Sequence, residues 1–128
     1  MTEADADGPS GEITLQTIAM PGDANANGDI FGGWLMAQMD LGASVMARRR
    51  ARGRVATVAV DAMVFHRPVH VGDVVSIHSS MTREGRTSMA IAIEVWTQAI
   101  GSDSRNRVTE AAFTFVAIDE AGRPRPLP

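Results

Sequence analysis

A mostly apolar segment predicts one long amphipathic helix over about residues 30–49. At helical spacing its bulky side chains fall on one broad stripe, which we expect to pack against the rest of the fold. The stripe consists of Phe31, Trp34, Leu35, Met39, Leu41, Val45 and Met46. The other side carries mostly small residues, so we expect it to lie open to another backbone, a partner subunit or a ligand. That side consists of Gly32, Gly33, Met36, Ala37, Ala43, Ser44 and Ala47.

The residues at both ends of this segment fit a helix. Asn27 and Gly28 form a turn signal, and Asp29 is a residue type that commonly caps a helix N-terminus. The arginines from Arg48 to Arg50 close the segment, where the helix dipole favours positive charge.

Apolar and polar alternation predicts strands in the rest of the chain, at about residues 13–20, 55–65, 74–82, 87–98 and 107–119. In the second of these, alternation places Val58, Val60, Ala62 and Val64 on one face and Asp61 on the other. Most of the strands should pair as antiparallel neighbours. One helix and about five strands predict the α+β class, with the helix lying across one face of a single sheet.

The chain of 128 residues is long enough for one domain with its own core. Residues 1–11 are polar and acidic, so we expect a disordered tail there. Residues 12–120 contain all the predicted elements. Residues 121–128 hold three of the six prolines and are expected to be irregular.

Composition excludes several classes of function. The chain has no cysteine, which rules out disulfides, thiolate metal sites and a cysteine nucleophile. Its net charge of −3 argues against nucleic-acid binding. No apolar run approaches the roughly 18 residues of a membrane span. The N-terminus is unlike a signal peptide, so we expect no membrane association and a cytoplasmic location.

Asp40 is the one ionisable side chain between Asp29 and Arg48. It shares an i, i+4 ridge with Gly32, Met36 and Ser44. A glycine amide near the helix start can hold an oxyanion, and a carboxylate can act as a base or a nucleophile. The alternative, favoured from spacing alone, is that Asp40 is a solvated residue of a polar face.

Five segments resemble, in the same order, the motifs of hotdog-fold acyl-CoA thioesterases of the short bacterial branch known as YciA. They are residues Asn25 to Asp40, Phe65 to Asp73, Gly85 to Ser88, Ile93 to Trp96 and Ala112 to Asp119. The resemblance covers about residues 12–125.

The resemblance implies a hotdog fold, in which a five- to six-stranded antiparallel sheet wraps around one long central helix. It implies an acyl-CoA thioester hydrolase that releases a free fatty or other carboxylic acid and CoA. It also implies a homodimer as the minimum unit, with three dimers assembled into a hexamer. Such pairing would cover the open sheet edges of a small single-sheet domain.

The resemblance also implies roles at the site. The backbone N–H of Gly32, with Gly33, polarises the thioester carbonyl, and Asp40 of the opposite subunit activates water or attacks directly to form an anhydride. Asn25 either orients the thioester or serves only its own turn. Ser44 either places the water or is a small packing residue, which we favour.

Coenzyme A carries phosphates, so the site needs local positive charge. Arg86, with Thr87 and Ser88 at a predicted hairpin, suits a phosphate, and Arg67 is the second candidate. Coenzyme A is part of the substrate, so no separate cofactor is expected. Nor is a metal expected, because His66 and His70 flank Pro68 and cannot have helical ligand spacing.

Two other functions compete with hydrolysis. A non-catalytic acyl-CoA-sensing module is disfavoured because Asp40 is present and no DNA-binding domain is attached. A hotdog dehydratase or hydratase usually has a histidine in the helix region, and residues 25–50 contain none.

Overall fold

The structure, a computed structural model, describes residues 8–128. Residues 1–7, which make up most of the expected disordered tail, lie outside the described residues. Residues 8–10 have no regular structure, and the Ser10 amide donates a hydrogen bond to the Glu94 carboxylate at 3.3 Å.

One helix lies against one five-stranded sheet. The elements are β1 (Glu12–Ile18), α1 (Gly32–Ala51), β2 (Val55–Val60), β3 (Val74–Glu84), β4 (Ser88–Gln98) and β5 (Arg105–Ala117). The strand order is β1-β3-β4-β5-β2, and every neighbouring pair is antiparallel. The predicted α+β class, with a helix across one face of a single sheet, is therefore confirmed, with five strands.

The core lies between α1 and the sheet. Alternate residues of β4, including Met89 and Ile91, face the helix, and Phe113 and Phe115 of β5 pair with them. No helix within residues 8–128 is long and apolar enough to cross a membrane.

The side of α1 that packs on the sheet differs from the predicted stripe. Its buried residues are Leu35, Met39, Gly42, Ala43, Ala47 and Ala51. Phe31, Leu41 and Val45 are exposed, so their assignment to the buried stripe is wrong. The reason is a close approach to β3: a Cβ atom on Gly42 would lie 2.8 Å from Ile77 Cγ2. The sheet therefore requires small residues around Gly42, whereas Leu35 and Met39 pack on it nearer the start of the helix.

Both ends of α1 differ slightly from the expectation. The N-cap is Phe31, which makes no side-chain capping bond, so the prediction of Asp29 as N-cap is wrong. The backbone of Asp29 instead forms an antiparallel bridge with His70, which holds it two residues before the helix. At the other end Arg52 adopts a left-handed conformation, and its cap N–H bonds to Arg48 O, which ends the helix.

Strand β2 contains a bulge that sequence alternation did not predict. Thr57 pairs with Phe115 and Val60 pairs with Phe113, so β2 advances by three residues where β5 advances by two. Thr57 and Val60 therefore lie on the same, helix-facing side, whereas strict alternation would separate them. Regular pairing ends at Val60, and the predicted continuation to Phe65 is irregular.

The last residues follow one end of the sheet without forming a helix or strand. The Leu127 amide donates to Arg86 O at 2.9 Å, and Arg125 Nη2 donates to Ala51 O at 2.7 Å. These contacts hold residues 121–128 against the β3–β4 hairpin and the end of α1.

Candidate active site

The Asp40 carboxylate lies at the junction of α1 and β2. Asp40 is half-buried, and Thr57 Oγ1 donates a hydrogen bond to its Oδ1 at 2.5 Å. No group within residues 8–128 bonds to the other carboxylate oxygen. Thr57 therefore fixes the orientation of the carboxylate while one oxygen stays available to a water molecule or a substrate.

A cavity of about 250 Å³ opens beside this carboxylate. It is lined by Met36, Ala37, Asp40, Thr57, Val60 and Phe113. Apart from the bonded pair of Asp40 and Thr57, every lining side chain is apolar. Such a pocket, mostly apolar with a few polar groups that fix orientation, is typical of a small-molecule site.

Sequence reasoning missed Thr57. The residue lies 17 positions after Asp40, and only the packing of β2 beside α1 brings the two side chains together. The bulge at Val58 also determines which face of β2 Thr57 shares with Val60. A threonine within a run of valine and alanine was the one available signal, and it does not identify a partner.

The first turn of α1 offers two backbone donors. Gly32 and Gly33 are its first two residues, where helical N–H groups have no intrahelical acceptor. The next two amides, of Trp34 and Leu35, both bond to Phe31 O. Within residues 8–128 no acceptor bonds to the amides of Gly32 and Gly33. They are suited to hold a carbonyl oxygen that gains negative charge.

One chain does not complete a site from Gly32 and Asp40. The eight-residue separation corresponds to about 12 Å along the helix at 1.5 Å per residue. The N–H groups of the first turn point out of the N-terminal end of the helix, so an anion that they bind lies farther still from Asp40. The gap is too wide for one water molecule to connect the two groups. Within one chain, the shared ridge predicted from spacing therefore does not bring Gly32 and Asp40 together around one substrate atom.

Asn25 has a clear structural role in the loop before α1. Its Oδ1 accepts hydrogen bonds from the amides of Asn27 at 2.9 Å and Asp29 at 3.1 Å. The expected turn chemistry is therefore present, and it uses the carbonyl oxygen alone. The side-chain NH₂ has no acceptor within residues 8–128, so the loop holds this donor in a fixed position.

Ser44 lies one turn beyond Asp40. Its hydroxyl donates to Leu41 O at 2.7 Å, a bond within its own helix. The hydroxyl proton is thus already used, which favours the packing role over placement of a water molecule.

The predicted phosphate-binding residues lie at opposite ends of the sheet. Arg86 is exposed on the hairpin that Gly85 N and Ser88 O close at 2.8 Å. Arg67 Nη1 donates to Arg107 O, near the other end of β5. Ser88 and Arg107 are on the order of 25 Å apart at about 3.3 Å per strand residue. Within one chain, Arg67 therefore does not join Arg86, Thr87 and Ser88 around one phosphate.

The histidines do not converge either. Within residues 8–128 no group of three or more His, Cys, Asp and Glu side chains has the geometry of a metal site. His66 bonds to the Glu110 carboxylate at 2.9 Å, and His78 Nδ1 lies 3.3 Å from Gly11 O. The expectation of no metal and no separate cofactor stays a prediction.

Comparisons with known proteins place this geometry in a family. Residues 27–102 match the thioesterase superfamily model. The acyl-CoA thioester hydrolase YciA of Salmonella typhimurium is 54% identical over 123 residues, covering 94% of this chain and 92% of the relative. YciA of Escherichia coli is 52% identical, covering 94% and 93%.

Solved structures agree with the sequence relatives. The hexameric thioesterase y2039 from Yersinia pestis has a TM-score of 0.90 at 55% identity, covering 94% of this chain and 98% of that one. HI0827, a hexameric broad specificity acyl-coenzyme A thioesterase, has a TM-score of 0.89 at 50% identity, covering 94% and 83%. Fold, site geometry and relatives agree, and the chain belongs to the hotdog-fold thioesterase superfamily, in its YciA-like branch.

Proposed function

We propose that this protein is an acyl-CoA thioester hydrolase in which Asp40 activates the attacking water. The observation that carries the proposal is the Asp40 carboxylate, which Thr57 holds by one oxygen at the mouth of an apolar cavity. The family membership and the named activities of the YciA relatives support it.

The proposed hydrolysis uses one water molecule and two groups of the protein, the Gly32 amide and the Asp40 carboxylate. The amide of Gly32 stabilises the negative charge that develops on the thioester oxygen. The free oxygen of Asp40 takes a proton from water as the new C–O bond forms. The C–S bond then breaks, and the proton passes to the sulfur. The products are a carboxylic acid and the free thiol of coenzyme A.

The separation of Gly32 from Asp40 supports an oligomer. We propose that Gly32 of one subunit faces Asp40 of another across a two-fold axis. The outer edge of β2 carries Val58 and Val60, both exposed, and no strand within residues 8–128 pairs with it. An exposed apolar edge of this kind is suited to pairing with a second chain. The hexameric neighbours support a trimer of dimers.

Two subunits would also bring together the predicted phosphate-binding residues, which lie far apart within one chain. Arg86, Thr87 and Ser88 of one subunit supply a guanidinium and two hydroxyls at an exposed hairpin. We propose that Arg67 contributes from a different subunit. Bidentate guanidinium contacts are well suited to the phosphates of coenzyme A.

The first experiment measures thiol release from a panel of acyl-CoA esters by the parent and by Asp40→Ala. We expect turnover by the parent and near-complete loss in the variant. The variant should retain its fold by circular dichroism and its binding of CoA by calorimetry. Binding without turnover by the parent would favour the acyl-CoA-sensing alternative. Full activity of Asp40→Ala would exclude Asp40 as the base.

Isotope labelling separates water activation from an anhydride route in which water opens the anhydride at the Asp40 carbonyl. In a single turnover in ¹⁸O-labelled water, water activation places one ¹⁸O atom in the released acid. An anhydride route that is opened at the Asp40 carbonyl places ¹⁸O in the Asp40 side chain. Label found in Asp40 by peptide mass spectrometry would contradict the proposed mechanism.

A further inference from the structure

The cavity beside Asp40 extends past the groups that the hydrolysis step requires. Asp40 and Thr57 lie at one side of it and are bonded to each other. The remaining surface is formed by Met36, Ala37, Val60 and Phe113, which have no polar side-chain group to offer a ligand. This apolar surface is available to another part of the substrate.

Only one substituent of the thioester carbonyl fits such a surface. The sulfur leads to the pantetheine arm, whose amides need hydrogen-bond partners if they leave water. The other substituent is the acyl chain, which gains free energy when it leaves water for an apolar surface. Since the carbonyl must lie within reach of Asp40, the acyl chain is the part that enters this cavity.

The bulge in β2 determines the width of the cavity. It turns Val60 to the same face as Thr57, directly opposite Phe113 of β5. Phe113 is only 2% exposed and forms a rigid floor, whereas Met36 and Val60 are 42% and 43% exposed at the rim. Without the bulge, Val60 would face away and its place would be taken by a neighbour in β2.

We propose that Val60, Met36 and Phe113 determine which acyl chain lengths this enzyme hydrolyses. This inference rests on the proposed function. A cavity of about 250 Å³ holds on the order of eight methylene groups if each takes about 30 Å³, the share of a water molecule in the liquid. Acyl chains up to about this length can lie along the cavity, and longer chains extend beyond it.

The test narrows the cavity from β2. Val60→Phe adds a ring at the rim, opposite the floor formed by Phe113. We expect the ratio of kcat/KM for decanoyl-CoA to that for acetyl-CoA to fall at least tenfold, since a single methylene in an apolar pocket is worth about 10- to 200-fold. Val60→Ala should change the same ratio in the opposite direction.

Val71→Phe is the matched control. It adds the same ring at a valine of similar exposure, 41% against 43%, in the turn before β3, at a position that does not line the cavity. Its chain-length ratio should equal that of the parent. Met36→Phe narrows the cavity from α1 and should reproduce the effect of Val60→Phe, which keeps the test decisive if Val60→Phe does not fold.

Failure of the inference and failure of the proposed function give different results. If the parent hydrolyses acyl-CoA and neither Val60→Phe nor Met36→Phe shifts the ratio, the inference is wrong and the function stands. If Val71→Phe shifts the ratio as much as Val60→Phe, the cavity does not hold the acyl chain. If the parent hydrolyses no acyl-CoA, the proposed function itself is overturned.

Discussion

The side of helix α1 that packs on the sheet carries mostly small residues, whereas the outward side exposes large apolar ones. A common amphipathic helix has the reverse arrangement. The sheet-facing side has Gly42, Ala43 and Ala47 at its centre, and the outward side exposes Leu41 and Val45. Size rather than hydrophobicity separates them in this part of the helix, because near Gly42 the helix approaches β3 too closely for large side chains. Asp40 is half-buried and lies beside β2. One side therefore holds the fold together, and the other carries the proposed site and stays exposed.

Replacing Asp40 by Asn should give the largest effect of all the variants on catalysis and almost none on stability. The amide keeps the size of the carboxylate and can still accept the bond from Thr57, but it cannot take a proton from water. We expect kcat to fall by about 10²- to 10⁴-fold, the range typical of a lost general base. The melting temperature should stay close to that of the parent. A fall in activity that follows unfolding would contradict this separation of roles.

Gly42→Ala should give the reverse result. The new methyl group would lie 2.8 Å from Ile77 Cγ2 and 3.0 Å from Thr14 Oγ1, with no flexible side-chain end to move aside. We expect a loss of about 1–3 kcal/mol in the free energy of unfolding, as for other overpacked sites. Urea denaturation measures it. Gly33→Ala is the control, because a Cβ atom there meets nothing within 4 Å.

Thr57→Val tests the hydrogen bond that links Thr57 of β2 to Asp40 of α1. It keeps the shape of the side chain but removes the 2.5 Å hydrogen bond to Asp40. We expect kcat to fall about tenfold, since a hydrogen bond to a charged group is worth about 1.5–3 kcal/mol. Thr57→Ser should recover most of the activity because it restores the hydroxyl. Equal losses in the two variants would show that the hydroxyl alone does not account for the role of Thr57.

Ser44→Ala should give the smallest effect. Its hydroxyl bonds to Leu41 O within the helix, and alanine is the better helix former by about 0.5 kcal/mol. We expect kcat/KM within about twofold of the parent and equal or slightly higher stability. A tenfold loss of kcat without a change in stability would restore the alternative in which Ser44 places the water.

The elements were predictable because each has its own local pattern. Apolar and polar residues alternate in β3 and β4, which predicts strands. One apolar segment that ends in three arginines predicts the helix, and together these patterns predict the fold class. The side of α1 that is buried could not be read in the same way, because periodicity does not show how closely a helix approaches a sheet. Asp29 was a plausible cap by residue type, but its bridge to His70 depends on a turn forty residues away.

The site was predictable in part for the same reasons. Asp40 was notable as a lone carboxylate in an apolar helix, and the resemblance to the family implied a role for Gly32. Thr57 and Val60 could not be assigned, because one extra residue in β2 changes which side chains share a face. A bulge has no reliable signal in a run such as Val-Ala-Thr-Val-Ala-Val.

Because Gly32 and Asp40 are too far apart to act within one chain, two variants that are each inactive should form an active dimer when they are mixed. Gly32→Pro removes the N–H at the first helical position, where proline is tolerated, and Asp40→Asn removes the base. A mixed dimer of the two variants has one site with both groups intact and one site with neither. Random mixing of subunits should restore about a quarter of the parental activity. Catalysis would then require both subunits of the dimer, because neither chain alone contains a complete site.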